Sequence, residues 1–255
     1  MIQASRAARW AVLASFLAIG ACRTVSAPPV AVPPPAPSLA PPLPATPPPA
    51  VAPEPARHYR IDAERSQVLI LVYRDGPMAR LGHNHVLSLR GLSGYVSMLS
   101  GDVGESFSLQ FPVAAMSVDE PALRAEQGDD FSAAVDAASI DGTREHMLSE
   151  KLLDAMRFPN IRVRSQELRA EGDHWIATLQ ITVRDHVSMV EAPVALVANQ
   201  EQVSASGEFD LTHAQLGLTP YSVGLGALRV AETIHVRYRL LAQRELQSGT
   251  DADHP

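Results

Sequence analysis

Between residues 57 and 244 apolar and polar side chains alternate with a period of two, which is the period of a half-buried strand. The alternation is cleanest in Ser106-Phe107-Ser108-Leu109-Gln110-Phe111, where Phe107, Leu109 and Phe111 share the inward face. Residues 66–74 form a strand that is apolar on both faces, with Leu69 and Leu71 on one and Val68, Ile70 and Val72 on the other. Asp75-Gly76-Pro77 then reads as a turn. The next strand runs from His83 through Gly91 and Gly94 to about residue 99, its glycines marking bends or bulges. Residues 113–118 continue the sheet, and 121–131 read as a polar loop with a short helical turn.

The spacing predicts one main helix over 142–156. Met147, Leu148, Leu152, Ala155 and Met156 form its apolar stripe, Asp141 its N-cap, and Phe158-Pro159 its stop. Strands resume at residue 161. Trp175, Ala177, Leu179, Ile181 and Val183 share one face, and 187–196 pairs back, with Pro193 marking an edge or bulge. Val203, Ala205, Gly207, Phe209, Leu211 and His213 share the next inward row. After a glycine-containing loop over 217–226, the last strand carries Leu228, Val230, Ile234, Val236, Tyr238 and Leu240, interrupted by Glu232. Eight or more alternating strands with one interrupting helix predict an all-β domain, a closed antiparallel barrel with room for a ligand. A two-sheet sandwich is the other architecture this pattern allows.

The first 56 residues are of a different kind. Residues 1–21 read as a secretory signal: Arg6 and Arg9 precede a short apolar run. That run ends in Ile19-Gly20-Ala21-Cys22, which resembles a bacterial lipobox and makes Cys22, the only cysteine of the chain, a lipidation site. Residues 27–56 hold 14 of the 21 prolines. They read as an extended tether of roughly 3.1 Å per residue. The expected organisation is signal (1–21), lipidated Cys22 and linker (22–56), barrel (57–244) and disordered tail (245–255). Such a protein is periplasmic and lipid-anchored, by the absence of aspartate after Cys22 to the outer membrane. Net charge is −7. An acidic domain without clustered Lys or Arg is not expected to bind nucleic acid.

The motifs occur in a recognisable order: Tyr59-x-Ile61-Asp62, then Gly82 followed by Gly91 and Gly94, then Leu148 with Leu153-Asp154 and Phe158-Pro159, then Leu179-x-Ile181-Thr182-Val183-Arg184, then Phe209 and Gly217. In this the chain resembles the YceI-like family of secreted, lipocalin-like bacterial proteins. The resemblance implies an extended eight-stranded antiparallel barrel with one main helix packed against it. It also implies binding of a long isoprenoid or fatty amphiphile inside the barrel, and no catalysis. His83-Asn84-His85 stands where such proteins carry glycine and an aromatic residue.

The expected ligand is an isoprenoid quinone, polyprenyl or fatty chain. Phe107, Leu109, Phe111, Trp175, Leu179 and Phe209 are expected to line its path. His83, His85 and His213 extend apolar inward rows and have three readings. They anchor a polar head group; they hold Zn or Cu in a transition-metal or envelope-stress protein, with Glu145 and His146 as weaker ligands; or they fix the turn before Gly82. Without the metal no cofactor is implied. The expected partners are the lipid, a membrane through the anchor, and a second copy as a homodimer. Ser93, in Gly91-Leu92-Ser93-Gly94, does not stand in a nucleophile elbow, and no nucleophile–base pair is visible.

Overall fold

The alternating rows build the strands they predict. The computed structural model describes residues 56–98, 106–172 and 174–245. The expected signal, Cys22, the linker as far as residue 55 and the tail beyond residue 245 lie outside the described residues. The strands are β1 (Arg57–Ile61), β2 (Gln67–Asp75), β3 (His85–Ser88), β4 (Ser93–Met98), β5 (Ser106–Pro112) and β6 (Ser117–Val118). After helices α1 (Pro121–Ala125) and α2 (Ala137–Leu148) come β7 (Asn160–Glu171), β8 (His174–Val183), β9 (His186–Ala198), β10 (Gln202–Thr212), β11 (Ser222–Val223) and β12 (Leu228–Arg244).

Eight strands close a ring in the order β1, β4, β5, β7, β8, β9, β10, β12, and every pairing is antiparallel. Closure depends on the length of β12. Its last residues pair with β1, Ala242 facing Ile61, while residues from Arg229 to Arg239 pair with β2. Asp62 turns the chain between β1 and β2, its Oδ1 accepting from the backbone N–H groups of Glu64 and Arg65. The ring is therefore closed at the β1 end. At the other end β2, β3 and β6 form an arm that leaves the ring from the edge of β12.

The arm explains why β2 is apolar on both faces. Val68, Ile70 and Val72 belong to the barrel interior, while Leu69 and Leu71 pack with Val86, Leu123 and Phe131 in a separate small core. Tyr73 joins that core, its ring edge-on to Phe131 at 5.3 Å.

Three elements differ from expectation. The strand expected from His83 to residue 99 is two strands: β3 pairs with β2 and β6, whereas β4 pairs with β1 and β5. Gly91, with φ +67°, turns the chain from the arm into the ring. Residues 113–115 form a 3-10 turn before the short β6. Finally, α2 starts five residues early. Asp136, not Asp141, is its N-cap, accepting from Ser139 N. It stops at Leu148, where Ser149 N donates to the carbonyls of Glu145 and His146. Consecutive tight turns follow, with Asp154 at φ +46°. They keep Leu152 and Ala155 on the core at helix-like spacing, but Met156 is 94 % exposed. Among the described residues no helix is long and apolar enough to cross a membrane.

Gly94 of β4 lies hard against the β5 backbone: a Cβ there would lie 2.0 Å from the Ser108 carbonyl oxygen. Backbone cannot yield as a side chain can. Gly94→Ala is expected to cost about 1–3 kcal/mol, read as a lower urea midpoint with unchanged slope.

Candidate functional site

The inward rows converge on a tunnel with two chambers. The first, about 210 Å³, lies within the closed ring and is walled almost entirely by aliphatic and aromatic side chains. Phe107, Leu109, Phe111, Leu179 and Phe209 line it as the alternation predicts. Trp175 does not. It shares the inward face of β8, but it stands next to the strand's first residue and the lining begins at Ala177. The only oxygens contributed by side chains are those of Ser165 and Tyr238, and the Tyr238 hydroxyl donates to the Pro193 carbonyl at 2.7 Å.

The second chamber, about 670 Å³, occupies the open end, between the arm, α2 and the segment that follows β10. Ile70, Ile161, Val183, Leu216 and Ile234 line both chambers, so the two are adjacent. Its wall is mixed. His83, His85, His146 and His213 line it, with Arg74 and Lys151 among the charged residues. His83 precedes β3, yet the alternation persists through it: its ring stands 6.3 Å from that of His85. His213 arrives from the end of β10, and His146 from α2, where its ring meets Tyr221 edge-on at 4.6 Å.

Two of these imidazoles are held in a defined orientation. His85 Nδ1 lies 2.6 Å from Asp119 Oδ2, and His213 Nδ1 lies 3.0 Å from the Glu232 carbonyl oxygen. Both partners are acceptors, so each Nδ1 carries the proton. Each Nε2 has no protein partner among the described residues. A neutral ring thus offers an acceptor for a hydroxyl, and a protonated ring offers a donor. Glu232, the polar interruption in the last strand, sits where the β12–β2 register shifts between Val230 and Ile234. Its Oε1 also accepts from Ala214 N, so it shapes the turn that carries His213. Burial, and then the charge of Lys151, lowers the pKa of His146, which keeps that ring neutral near pH 7.

Sequence reasoning missed the residues behind His85. Asp119, wholly buried, accepts from His85 through Oδ2 and from Val86 N and Arg124 Nη1 through Oδ1. Arg124, also buried, donates to the carbonyls of Asn84, Phe131 and Ala133 as well. Asn84 ties the His83–His85 segment down: Oδ1 accepts from Arg74 N and Nδ2 donates to the Asp130 carbonyl. Burial pushes the Asp119 carboxyl up, but hydrogen bonds from His85, Val86 and Arg124 outweigh it and hold the pKa below the ordinary carboxylate value.

The metal reading fares differently. His83, His85 and His213 line one chamber, but among the described residues no three His, Cys, Asp or Glu stand close enough together to hold a metal ion. The three-ligand site is not assembled.

The model of the YceI-like domain matches residues 59–242. The crystal structure of Burkholderia cenocepacia BcnA superposes with a TM-score of 0.51 at 14 % identity, over 71 % of this chain and 98 % of its own. That of a Campylobacter jejuni YCEI protein gives a TM-score of 0.46 at 8 % identity, over 63 % and 85 %. Among curated proteins none matches. At 14 % identity the likeness to BcnA is one of fold.

Proposed function

We propose, for a chain that belongs to the YceI-like domain family of lipid- and isoprenoid-binding barrels, that the tunnel holds one long amphiphile. Its tail lies in the apolar chamber and its polar end among the histidines. One observation carries this reading: an aliphatic chamber lies directly against, and shares wall residues with, a chamber lined by His83, His85, His146 and His213. Apolar sites with a few placed polar groups, of roughly 300–1,000 Å³, are what small amphiphilic ligands occupy. Burying the tail contributes roughly 25 cal/mol per Å² before the costs of association.

The ligand is an isoprenoid quinone, a polyprenyl compound or a fatty chain. The free Nε2 atoms of His85 and His213 meet its oxygen. The family is one of binding proteins rather than enzymes, and the role we assign is sequestration or transport in the cell envelope. The signal, Cys22 and the proline-rich linker support a lipid-anchored periplasmic protein of the outer membrane.

Native mass spectrometry of the full chain, gently extracted from its own host, is expected to show a bound lipid mass. The emptied protein is expected to take up an isoprenoid alcohol from detergent solution. A barrel that is empty as isolated and takes up nothing overturns the reading.

A further inference from the structure

We infer that the open end of the barrel is a membrane-docking surface, on which Met78, Leu81, Val223 and Leu225 enter a lipid surface bearing anionic head groups. The inference takes its purpose from the tunnel's reading as a lipid site, because a long apolar ligand has to leave or enter a bilayer. Its geometry stands independently.

Two loops make the surface. The first follows β2 and carries Met78 and Leu81, 45 % and 57 % exposed. The second is the hairpin of β11 and β12, where Ser222 faces Arg229 and Val223 faces Leu228. At its tip, within Gly224-Leu225-Gly226, Leu225 is fully exposed. The loops are packed together through their backbones. Met78 N donates to the Ala227 carbonyl at 2.8 Å, and a Cβ on Gly76 would lie 2.6 Å from that same oxygen.

The placement of Leu225 is unfavourable twice over in water. Its side chain is wholly hydrated, and its φ is +55°, a region that asparagine or glycine adopts more readily than leucine. Neither feature helps the barrel fold. An apolar side chain held outward at a hairpin tip, beside other exposed apolar side chains, is what insertion into an interface requires.

Charge identifies the occupant. The chain has 28 Asp and Glu, yet residues 76–82 and 217–229 contain none, while they contain Arg80 and Arg229. Arg229 is paired with Asp75, and Arg80 is exposed on the first loop. Asp75 offsets Arg229, so Arg80 leaves the patch with a net positive charge, and an apolar, cation-bearing patch on an acidic protein complements an anionic surface. The patch is also continuous with the tunnel: Gly82, Tyr221, Leu228 and Arg229 line the histidine chamber.

The test uses the full chain with Cys22→Ser, so that a cysteine introduced at position 225 or 197 is the single thiol. Val197 is an exposed residue near the end of β9, at the closed end. Each variant carries a bimane label and is mixed with phosphatidylcholine–phosphatidylglycerol vesicles whose acyl chains are brominated. A label at Leu225→Cys is expected to shift to the blue and to be quenched, and a label at Val197→Cys to do neither. Arg80→Glu is expected to weaken the partitioning about fivefold or more. No quenching at 225, equal quenching at both positions, or a blue shift that grows with protein concentration without vesicles would each overturn the docking surface, the last by assigning it to a second copy. Uptake of an isoprenoid alcohol from detergent is measured alongside. Uptake without quenching removes the docking surface and leaves the lipid tunnel; quenching without uptake does the reverse.

Discussion

Replacing Asp119 with alanine is expected to cost the barrel about 3–5 kcal/mol, the range for removing one partner of a buried ion pair. The reason is Arg124. Its guanidinium is buried, and among the described residues Asp119 supplies its only counter-charge at hydrogen-bond distance, 2.6 Å. Three backbone carbonyls remain to it in the variant, but a full positive charge stays in the interior without a carboxylate. The Val86 N–H loses its acceptor at the same time. Asp119→Asn, which tolerates the φ of +56° at this position and keeps an acceptor for Val86, is expected to cost less, roughly 2 kcal/mol. Adding Arg124→Met to Asp119→Ala removes the stranded charge and is expected to restore part of the loss. Urea midpoints at constant slope measure all three. A double variant no more stable than Asp119→Ala would show that the charge pair is not the source of the loss.

The same residue sets an acid limit. The folded-state pKa of Asp119 lies below its unfolded value, burial raising it and the bonds from His85, Val86 and Arg124 lowering it further than burial raises it. The unfolded chain therefore takes up the proton first as pH falls. The stabilisation is complete above the unfolded value of about 3.9 and is lost as pH drops through the folded pKa. In Asp119→Asn this part of the acid sensitivity is expected to disappear.

The barrel was legible in the sequence because each ring strand has one wall to build. Val203, Ala205, Phe209 and Leu211 appear as a row for the same reason that they line the tunnel: a pleated strand sends alternate side chains to one face. That rule carried through even His83, which lies outside any strand. Periodicity gives the face but not the depth, which is why Trp175 shares the right face of β8 and still misses the cavity. It also cannot tell a helix from a series of tight turns that repeat at similar spacing, and so the helical spacing runs on to Met156, eight residues past the end of α2 at Leu148. Asp119 left no trace in the pattern. Its role depends on β6, α1 and β3 meeting in space, and neither its neighbours nor its spacing distinguish it from a surface aspartate. The histidines could be found from the sequence; what orients His85 could not.

Ala205→Trp is expected to weaken uptake of an isoprenoid alcohol by tenfold or more, about 1.4 kcal/mol at least. Ala205 lies on β10 opposite Leu196 of β9 and Leu240 of β12, and all three line the apolar chamber. An indole there competes for the space the ligand's tail needs, in a chamber of about 210 Å³. It introduces no charge, and filling a void with apolar surface does not destabilise the fold by the route that cavity formation does. The urea midpoint is therefore expected to hold or rise while binding falls. Trp175→Ala supplies the opposite case: it removes packing from a half-buried side chain that lines neither chamber, so stability is expected to fall and affinity to stay. Isothermal titration in detergent, paired with urea unfolding, separates the two. If Ala205→Trp binds as the parent does, the tail does not lie in the ring. If it instead unfolds by 1–3 kcal/mol, the interior is packed rather than open. Only loss of affinity with retained stability fits a chamber that is empty of protein and kept for a ligand.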